Sequence, residues 1–258
     1  MIYLYNGDCL EVMDDLIKQG IKVDAIITDP PYGITACKWD SVIPFNEMWS
    51  RLKLLRKEKT PIILFGSEPF SSALRMSNIK EFKYDWIWDK VQPSGQLLVK
   101  KMPMKLHEII SVFYKKQCLY NRQMTDRQKK DIRVNSVRNK KNQRNKISFD
   151  HLGKIANKYA EDYNPFKINP KSIISFSKQP NRKKAIHKTQ KPIALMEYLI
   201  KTYTIEGQIV LDFTMGSGTT GIACKNLNRN FIGIELDKHY FEIAKDRIEN
   251  HSVQEELF

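Results

Sequence analysis

Two short stretches hold the residues whose types and spacing could do chemistry. The first is Thr28-Asp29-Pro30-Pro31-Tyr32, which follows an apolar, β-branched run at 23–28. Two consecutive prolines remove two N–H donors and fix φ, so the backbone is stiff and its carbonyls are left to accept hydrogen bonds. Together with the acid and the aromatic ring, they could hold an amino group on a flat ring. An ordinary strand that ends in a proline turn could have the same residues. This stretch alone therefore does not distinguish a binding site from a structural turn.

The second stretch is Asp212-Phe213-Thr214-Met215-Gly216-Ser217-Gly218-Thr219-Thr220-Gly221, between an apolar run and a helical pattern. A phosphate loop would need Gly-Lys-Ser/Thr, which is absent, whereas the three glycines do match the Gly-x-Gly-x-x-Gly spacing of a dinucleotide loop. S-adenosylmethionine is a third candidate, with Asp212 facing its cationic end and Glu235 its ribose. The fourth candidate is a strand–helix turn with no ligand. The loop by itself excludes only the phosphate loop and leaves the other three interpretations possible.

Short apolar strands alternate with amphipathic helices on both sides of these stretches. Such alternation predicts an α/β fold with a mostly parallel sheet covered on both faces, and ligands bind beyond the carboxyl ends of its strands. The predicted helices are 9–18, 192–203 and 239–250, and the predicted strands are 2–8, 23–29, 61–67, 84–90, 109–115, 208–213 and 230–235.

The net charge of +14 is concentrated in one part of the 258-residue chain. Residues 118–191 hold 20 Lys and Arg against 5 Asp and Glu, and the remainder holds 23 against 24. The stretch 127–146 has nine basic residues, one acid and almost nothing to bury. Clustered Lys and Arg gain from counterion release on a phosphate backbone, so we expect nucleic acid as the partner of this segment.

Composition excludes several other classes of protein. A hydrophobic fraction of 41% argues against a disordered chain, and no apolar run approaches the roughly 20 residues that span a bilayer. No secretory signal is visible, so the expected compartment is the cytoplasm. Four scattered cysteines without a CxxC pair, and His151, His239 and His251 without ligand spacing, predict no disulfide framework and no metal.

Taken together, the motifs resemble those of the amino-methylating DNA methyltransferases, which modify N6 of adenine or N4 of cytosine. The matching segments are DPPY at 29–32, DFTMGSGTTG at 212–221, IGIELD at 232–237 and HKTQKPIALMEYLI at 187–200. The target-base motif precedes the cofactor motif, as in the beta group of that family. The resemblance implies a doubly wound, seven-stranded, mostly parallel and circularly permuted sheet with an inserted target-recognition region.

The resemblance also implies a role for each residue of the first motif. Asp29 and the Pro30 carbonyl would accept hydrogen bonds from the exocyclic amine, Pro31 would stiffen the turn, and Tyr32 would stack on the extruded base. The DPPY form is commoner in adenine enzymes, which favours N6-adenine over N4-cytosine. None of the four cysteines follows a proline, so C5 methylation of cytosine, which needs a nucleophilic cysteine, is not expected.

The cofactor implied is S-adenosylmethionine. Asp8 matches a family acid near the adenine, although a cap on the helix that begins near residue 9 explains it about as well. The segment at 189–192 has Lys188 after His187, where relatives usually have proline. The cofactor residues expected are Asp8, Asp29, Thr189, Gln190, Lys191, Pro192, Asp212, Phe213, Gly216, Ser217, Gly218, Thr219 and Glu235.

We expect residues 1–117 and 187–258 to form one catalytic domain and residues 118–186 to form the target-recognition region. His107-Glu108 matches a weak family motif and is interpreted as structural. The DNA-binding residues expected are Lys38, Trp39, Arg138, Lys140, Lys141, Arg144 and Lys146.

The partners expected are double-stranded DNA and, as further candidates, a second copy of the chain and the bacterial sliding clamp. The clamp hypothesis rests on Gln254-Glu255-Glu256-Leu257-Phe258, which resembles a clamp-binding peptide, although a frayed acidic tail explains these residues more simply. The recognition sequence and the presence of a restriction partner cannot be read from the chain.

Overall fold

The computed structural model describes residues 1–33, 40–127, 164, 166–177 and 190–252. The chain divides into two compact units, the first formed by 1–121 with 172–258 and the second by 122–171. Among the described residues, no helix is long and apolar enough to cross a membrane.

The first unit is built on one eight-stranded sheet with helices on both faces, in the strand order β1-β10-β9-β2-β3-β5-β4-β8. The predicted α/β class and its mostly parallel sheet are confirmed. Its strands are β1 (Ile2–Asn6), β2 (Ala25–Thr28), β3 (Ile62–Gly66), β4 (Phe82–Ser94), β5 (Lys105–Phe113), β8 (Ile173–Ser175), β9 (Ile209–Asp212) and β10 (Asn230–Glu235). The helices are α1 (Cys9–Lys18), α2 (Phe45–Leu55), α3 (Phe70–Ser77), α4 (Ile193–Tyr203), α5 (Thr219–Asn226) and α6 (Lys238–Glu249).

The chain order is permuted as the motif order predicts. The N-terminal β1 pairs in parallel with the C-terminal β10, and Asn6 lies opposite Glu235. The Asn6 side chain donates to the Glu235 carbonyl at 2.8 Å, which ties the two strand ends together. Asp8 and Glu235 therefore lie at the same edge of the sheet.

Alternation along the strands sorts the buried side chains between the two faces of the sheet. In β2, Ile26 packs on the face covered by α1, α2 and α3, whereas Ile27 packs on the face covered by α4, α5 and α6. Both side chains are fully buried. Each such side chain contributes about 1.5–3 kcal/mol relative to an exposed one, which makes the strands rigid supports for the loops at their ends.

The sheet has eight strands instead of the seven expected. The additional strand is β8, which pairs in parallel with β4 at the sheet edge and lies inside the segment 118–186. Strands β4 and β5 also extend beyond the predicted bounds into a long hairpin that ends with the pair Ser94–Lys105.

The second unit contains a short antiparallel pair, β6 (Thr125–Asp126) with β7 (Lys167–Ile168). An ion pair of 2.6 Å joins Lys167 to Asp126 across it. The basic residues predicted to bind DNA between 138 and 146 lie outside the described residues, as do Lys38 and Trp39.

Candidate active site

The two chemical motifs meet because their strands are neighbours. Strand β2 pairs in parallel with β9, with Ile26 opposite Leu211. The loop after β2 and the loop after β9 therefore leave the same edge of the sheet side by side. This edge is the carboxyl end of the parallel strands, where ligands bind in such sheets.

Threonine hydroxyls bind the two loops to each other through Asp212. The carboxylate of Asp212 accepts hydrogen bonds from the Thr28 hydroxyl, from the Thr220 hydroxyl at 2.5 Å and from the Thr214 N–H at 3.2 Å. The Thr214 hydroxyl donates to the Asp29 carbonyl at 3.1 Å. Burial raises the pKa of Asp212 to about 6, against the opposing effect of these hydrogen bonds. Asp212 thus fixes the position of Asp29 relative to the glycine loop.

Glu235 supports the glycine loop from the next strand. Its carboxylate accepts from the Gly216 N–H and from the Asp237 N–H, both at 2.9 Å. Gly216 and Gly218 have φ of +54° and +78°, a conformation that glycine adopts at little cost. Burial raises the pKa of Glu235. The carboxylate lines the cavity described below, where a hydroxyl of a ligand could reach it.

Asp8 caps α1 and also lines the cavity. Its side chain caps α1 by accepting from the Leu10 N–H at 2.8 Å and the Glu11 N–H at 3.4 Å. It also lines the same cavity as Glu235. A residue that caps the helix can thus also face a ligand, so the two interpretations do not exclude each other and the cofactor contact stays a prediction.

Asp29 is part of a chain of alternating charges, with two buried lysines and two half-buried acids, that the sequence did not reveal. One oxygen of its carboxylate accepts from the Tyr32 hydroxyl and the other from the Lys191 ammonium. Lys191 also lies 3.4 Å from Glu108, which in turn lies 3.5 Å from Lys90. Two acids and two bases therefore alternate along this chain.

The pKa values of this chain reflect burial and pairing. Burial raises the pKa of Asp29, Lys191 lowers it and Glu108 raises it further. For Lys191, burial lowers the pKa but Asp29 and Glu108 raise it above its ordinary value. Burial lowers the pKa of Lys90, which Glu108 partly offsets. Glu108 thus raises the pKa of every other member.

Asp40 holds the turn that follows the prolines. Its carboxylate accepts from the Tyr32 N–H and the Gly33 N–H, both at 2.8 Å. The Tyr32 ring packs against Phe70 with centroids 5.0 Å apart. Asp40 therefore holds the backbone of the turn, and Phe70 supports the Tyr32 ring beside the cavity.

These groups line one cavity of about 510 Å³, within the 300–1,000 Å³ typical of small-molecule sites. Pro192 and Gly218 are not among its lining residues, and Thr189 lies outside the described residues. The sequence did not predict three other lining residues, Asp40, Lys90 and Lys105. Glu108, which was interpreted from the sequence as structural, lines the cavity as well. The predicted site residues that line the cavity are Asp8, Asp29, Pro30, Pro31, Tyr32, Gln190, Lys191, Asp212, Phe213, Gly216, Ser217, Thr219 and Glu235.

The cavity offers acids that could bind cationic groups or hydroxyls of a ligand. Asp8 and Glu235 provide acids at one side, and the backbone of the glycine loop is open to close approach. Among the described residues, no group of three or more His, Cys, Asp and Glu side chains could hold a metal ion.

Comparison with known proteins gives a consistent result. A family model described as DNA methylase, of the N6/N4 type, matches residues 23–246. The type II methyltransferase M.HpaI of Haemophilus parainfluenzae is 29% identical over 88% of this chain and 68% of its own length. M1.MboII of Moraxella bovis is 26% identical over 93% and 94%. The crystal structure of the M1.HpyAVI–SAM complex is 30% identical, covers 96% of this chain and 100% of its own, and superposes with a TM-score of 0.65.

Proposed function

Since the chain belongs to the N6/N4 DNA methylase family and uses S-adenosylmethionine, we propose that it methylates N6 of adenine in duplex DNA. The observation that carries the proposal is the position of Asp29-Pro30-Pro31-Tyr32, which lines the same cavity as the glycine loop and Glu235. The acid in the first place of that motif is the form commoner in adenine enzymes. The target base would leave the duplex to reach the cavity, at a cost of a few kcal/mol.

Asp29 and the Pro30 carbonyl would hold the target amine. An exocyclic amine is a poor nucleophile because its lone pair is delocalised into the ring. Two acceptors on its hydrogens favour a more tetrahedral nitrogen with a localised lone pair, which is the geometry of the transition state. The amine would take the place of the Tyr32 hydroxyl on Asp29, and the freed Tyr32 ring would stack on the base.

The methyl group would pass directly between two bound molecules. S-adenosylmethionine supplies a methyl group on a positively charged sulfur, so the carbon–sulfur bond breaks as the carbon–nitrogen bond forms. The nitrogen then loses one proton, for which Asp29 is the nearest acceptor in this arrangement. The protein contributes position and electrostatics, without a covalent enzyme intermediate.

The remaining site residues would bind the cofactor. We assign Glu235 to the ribose, Asp8 to the adenine side, and Asp212, Phe213, Gly216, Ser217, Gly218 and Thr219 to the loop around the methionine part. Gln190, Lys191, Thr189 and Pro192 would border the methionine part from the other side. Asp212 would act through the loop it fixes, because its oxygens already accept from Thr28, Thr214 and Thr220.

We further propose that residues 118–186 recognise the DNA sequence while 1–117 and 187–258 form the catalytic domain. The charge excess of the middle segment supports this division. A homodimer and a sliding-clamp contact through Gln254–Phe258 stand as separate hypotheses. Deleting 254–258 should abolish clamp capture, and an intact protein that does not bind the clamp would end that idea.

N4-cytosine methylation is the alternative, since both targets present an amine on a ring. The deciding experiment expresses the protein in a host without DNA methylation and maps modified bases by single-molecule sequencing. N6-methyladenine at one recurring sequence is the expected result, and N4-methylcytosine would replace the adenine assignment. The Asp29→Ala variant is the control: it should lose the modification while still binding cofactor and DNA. Full modification by that variant would overturn the role of Asp29.

A further inference from the structure

The hairpin that connects β4 to β5 carries an unusual set of exposed apolar side chains. We call residues 91–106 the arm. Leu97 is 99% exposed, and the other large apolar residues of the arm are exposed as well. These are Val91, Leu98, Val99, Met102, Met104 and Leu106. Exposed apolar groups gathered in one place mark an interaction site more often than scattered ones do.

The fold of the arm presents these side chains outward. The β4–β5 register shifts between Asp89 and Ser94, and the strands meet last at the pair Ser94–Lys105. Gly95, with φ of +95°, turns the chain into a short 3₁₀ helix, and the Met102 N–H donates to the Leu98 carbonyl at 3.0 Å. The tip therefore has hydrogen bonds of its own, and its apolar side chains remain exposed.

The arm begins and ends at the cavity that holds Asp29. Ser94 and Lys105 line that cavity, as does Lys90 just before the arm. The Lys105 ammonium donates to the hydroxyl of Ser67, another lining residue. The arm therefore projects from the wall of the cavity.

The charge of the arm restricts its partner. Residues 90–107 include four lysines and no acid, and Lys100, Lys101 and Lys105 are exposed. A twofold contact between two copies of the arm would bring these lysines near one another without compensation. A phosphate backbone would instead attract them.

We propose that the arm enters the DNA duplex beside the target base and fills the space that the extruded base leaves. This inference rests on the proposed function, since only base extrusion creates that space. Leucine and methionine side chains are of the kind that proteins insert between base pairs, and the flanking lysines would contact the adjacent phosphates. The arm would thus stabilise the extruded state that the cavity requires.

The test uses the full-length protein and two duplexes with the mapped recognition sequence. One has a fluorescent analogue in place of the target base and reports extrusion, and the other keeps the natural base and gives kcat/KM. Such analogues brighten when they leave the stack. The arm variant is Leu97→Ser combined with Leu98→Ser and Val99→Ser. The matched control is Met76→Ser with Ile79→Ser, which removes two exposed apolar side chains outside the cavity lining. We expect the arm variant to lose most of the fluorescence increase and at least ten-fold in kcat/KM, and the control to keep both.

Three outcomes would overturn or redirect the inference. An arm variant with wild-type fluorescence and kcat/KM would overturn it. A variant that changes from dimer to monomer in sedimentation, with unchanged fluorescence per bound protein, would assign the arm to contacts between copies. Wild-type protein that neither methylates nor brightens the analogue would contradict the proposed function itself. Leu97→Ser alone guards against misfolding, since a side chain 99% exposed cannot be part of the core.

Discussion

Lys191 shows how one side chain can connect two parts of a site. From the sequence it was expected to border the cofactor, because it lies in the segment Thr189–Pro192. In the structure its ammonium lies between the carboxylates of Asp29 and Glu108 and over the Phe65 ring at 5.1 Å. Lys191 therefore contacts Asp29, the proposed acceptor of the target amine, in addition to its proposed place beside the cofactor.

Replacing Glu108 by glutamine should shift the pH dependence of methyl transfer. Glu108 raises the pKa of Asp29, so Glu108→Gln lowers that pKa and Asp29 stays ionised to lower pH. We expect the acid limb of the kcat/KM profile to move to lower pH. We also expect kcat at pH 8 to fall by about 10- to 100-fold, because Lys191 loses one of the two carboxylates that position it.

Glu81→Gln is the matched control for this prediction. Glu81 also pairs with a largely buried cation, Arg56, at 2.7 Å, but it does not line the cavity. That variant should be less stable and keep the wild-type pH profile. An acid limb that Glu108→Gln leaves in place, or moves to higher pH, would contradict the linkage between Glu108 and Asp29.

Asp212 should make the stability of the protein depend on pH. Its pKa is raised from 3.8 to about 6 in the folded protein, so between these values the folded state holds a proton that the unfolded state has lost. The stability from that proton is complete below the unfolded pKa and is lost as the pH rises through about 6. From pH 5 to pH 8, wild type should lose about 1.4 kcal/mol relative to Asp212→Asn.

Urea unfolding of the cofactor-free protein at the two pH values measures this difference. Any hydrogen bond that asparagine makes less well affects that variant equally at both pH values, so it cancels. Equal pH dependence in the two proteins would show that Asp212 keeps an ordinary pKa despite its burial.

At the scale of elements, the sequence predicts strands and helices whose apolar spacing is local. It does not predict features that depend on contacts between distant parts of the chain. The run at 23–28 and the helix at 192–203 were recognised because their apolar spacing is local. β8 has only three residues, too few for a pattern, and exists because β4 offers it a free edge. Glu108 could not be assigned from sequence, since Lys191 lies 83 residues away and reaches it only through the fold. Its one local signal is the weak family motif that it forms with His107.

Gly218 should matter through packing as well as through backbone conformation. A Cβ at this residue, which precedes α5, would lie 2.9 Å from Ile248 and 3.0 Å from Ala244. We expect Gly218→Ala to cost about 2–4 kcal/mol, from left-handed strain and overpacking together, and to weaken cofactor binding by displacing the glycine loop.

Gly20→Ala separates the two contributions. Gly20 has a similar φ of +71°, but its Cβ would meet nothing within 4 Å. That variant should lose only about 1–2 kcal/mol and bind the cofactor as wild type does. Chemical unfolding and calorimetric titration give both quantities. Equal losses in the two variants would show that α6 yields to the added methyl group.

At the scale of the whole molecule, the uneven charge supports the proposal that one segment binds DNA and the rest of the chain forms the catalytic domain. The first unit, 1–121 with 172–258, contains the sheet and the cavity, whereas the most basic stretch, 127–146, belongs to the second unit. The proposed recognition region, 118–186, encloses the second unit, 122–171, and stays a prediction. Charge counts cannot distinguish a strand such as β8, which belongs to the main sheet, from the basic residues that surround it.

Neutralising the basic segment should change how DNA binding depends on salt. Replacing Lys140, Lys141, Arg144 and Lys146 by glutamine should weaken binding. It should also reduce the slope of log K against log salt by about 0.9 for each residue that contacts a phosphate. The control replaces four exposed lysines of the first unit outside the cavity, Lys80, Lys83, Lys115 and Lys245, which changes the net charge equally. Fluorescence anisotropy on one duplex over a salt series measures both. An equal decrease of the slope in the two variants would show that binding depends on the net charge of the protein. The basic segment would then not contact the phosphates preferentially.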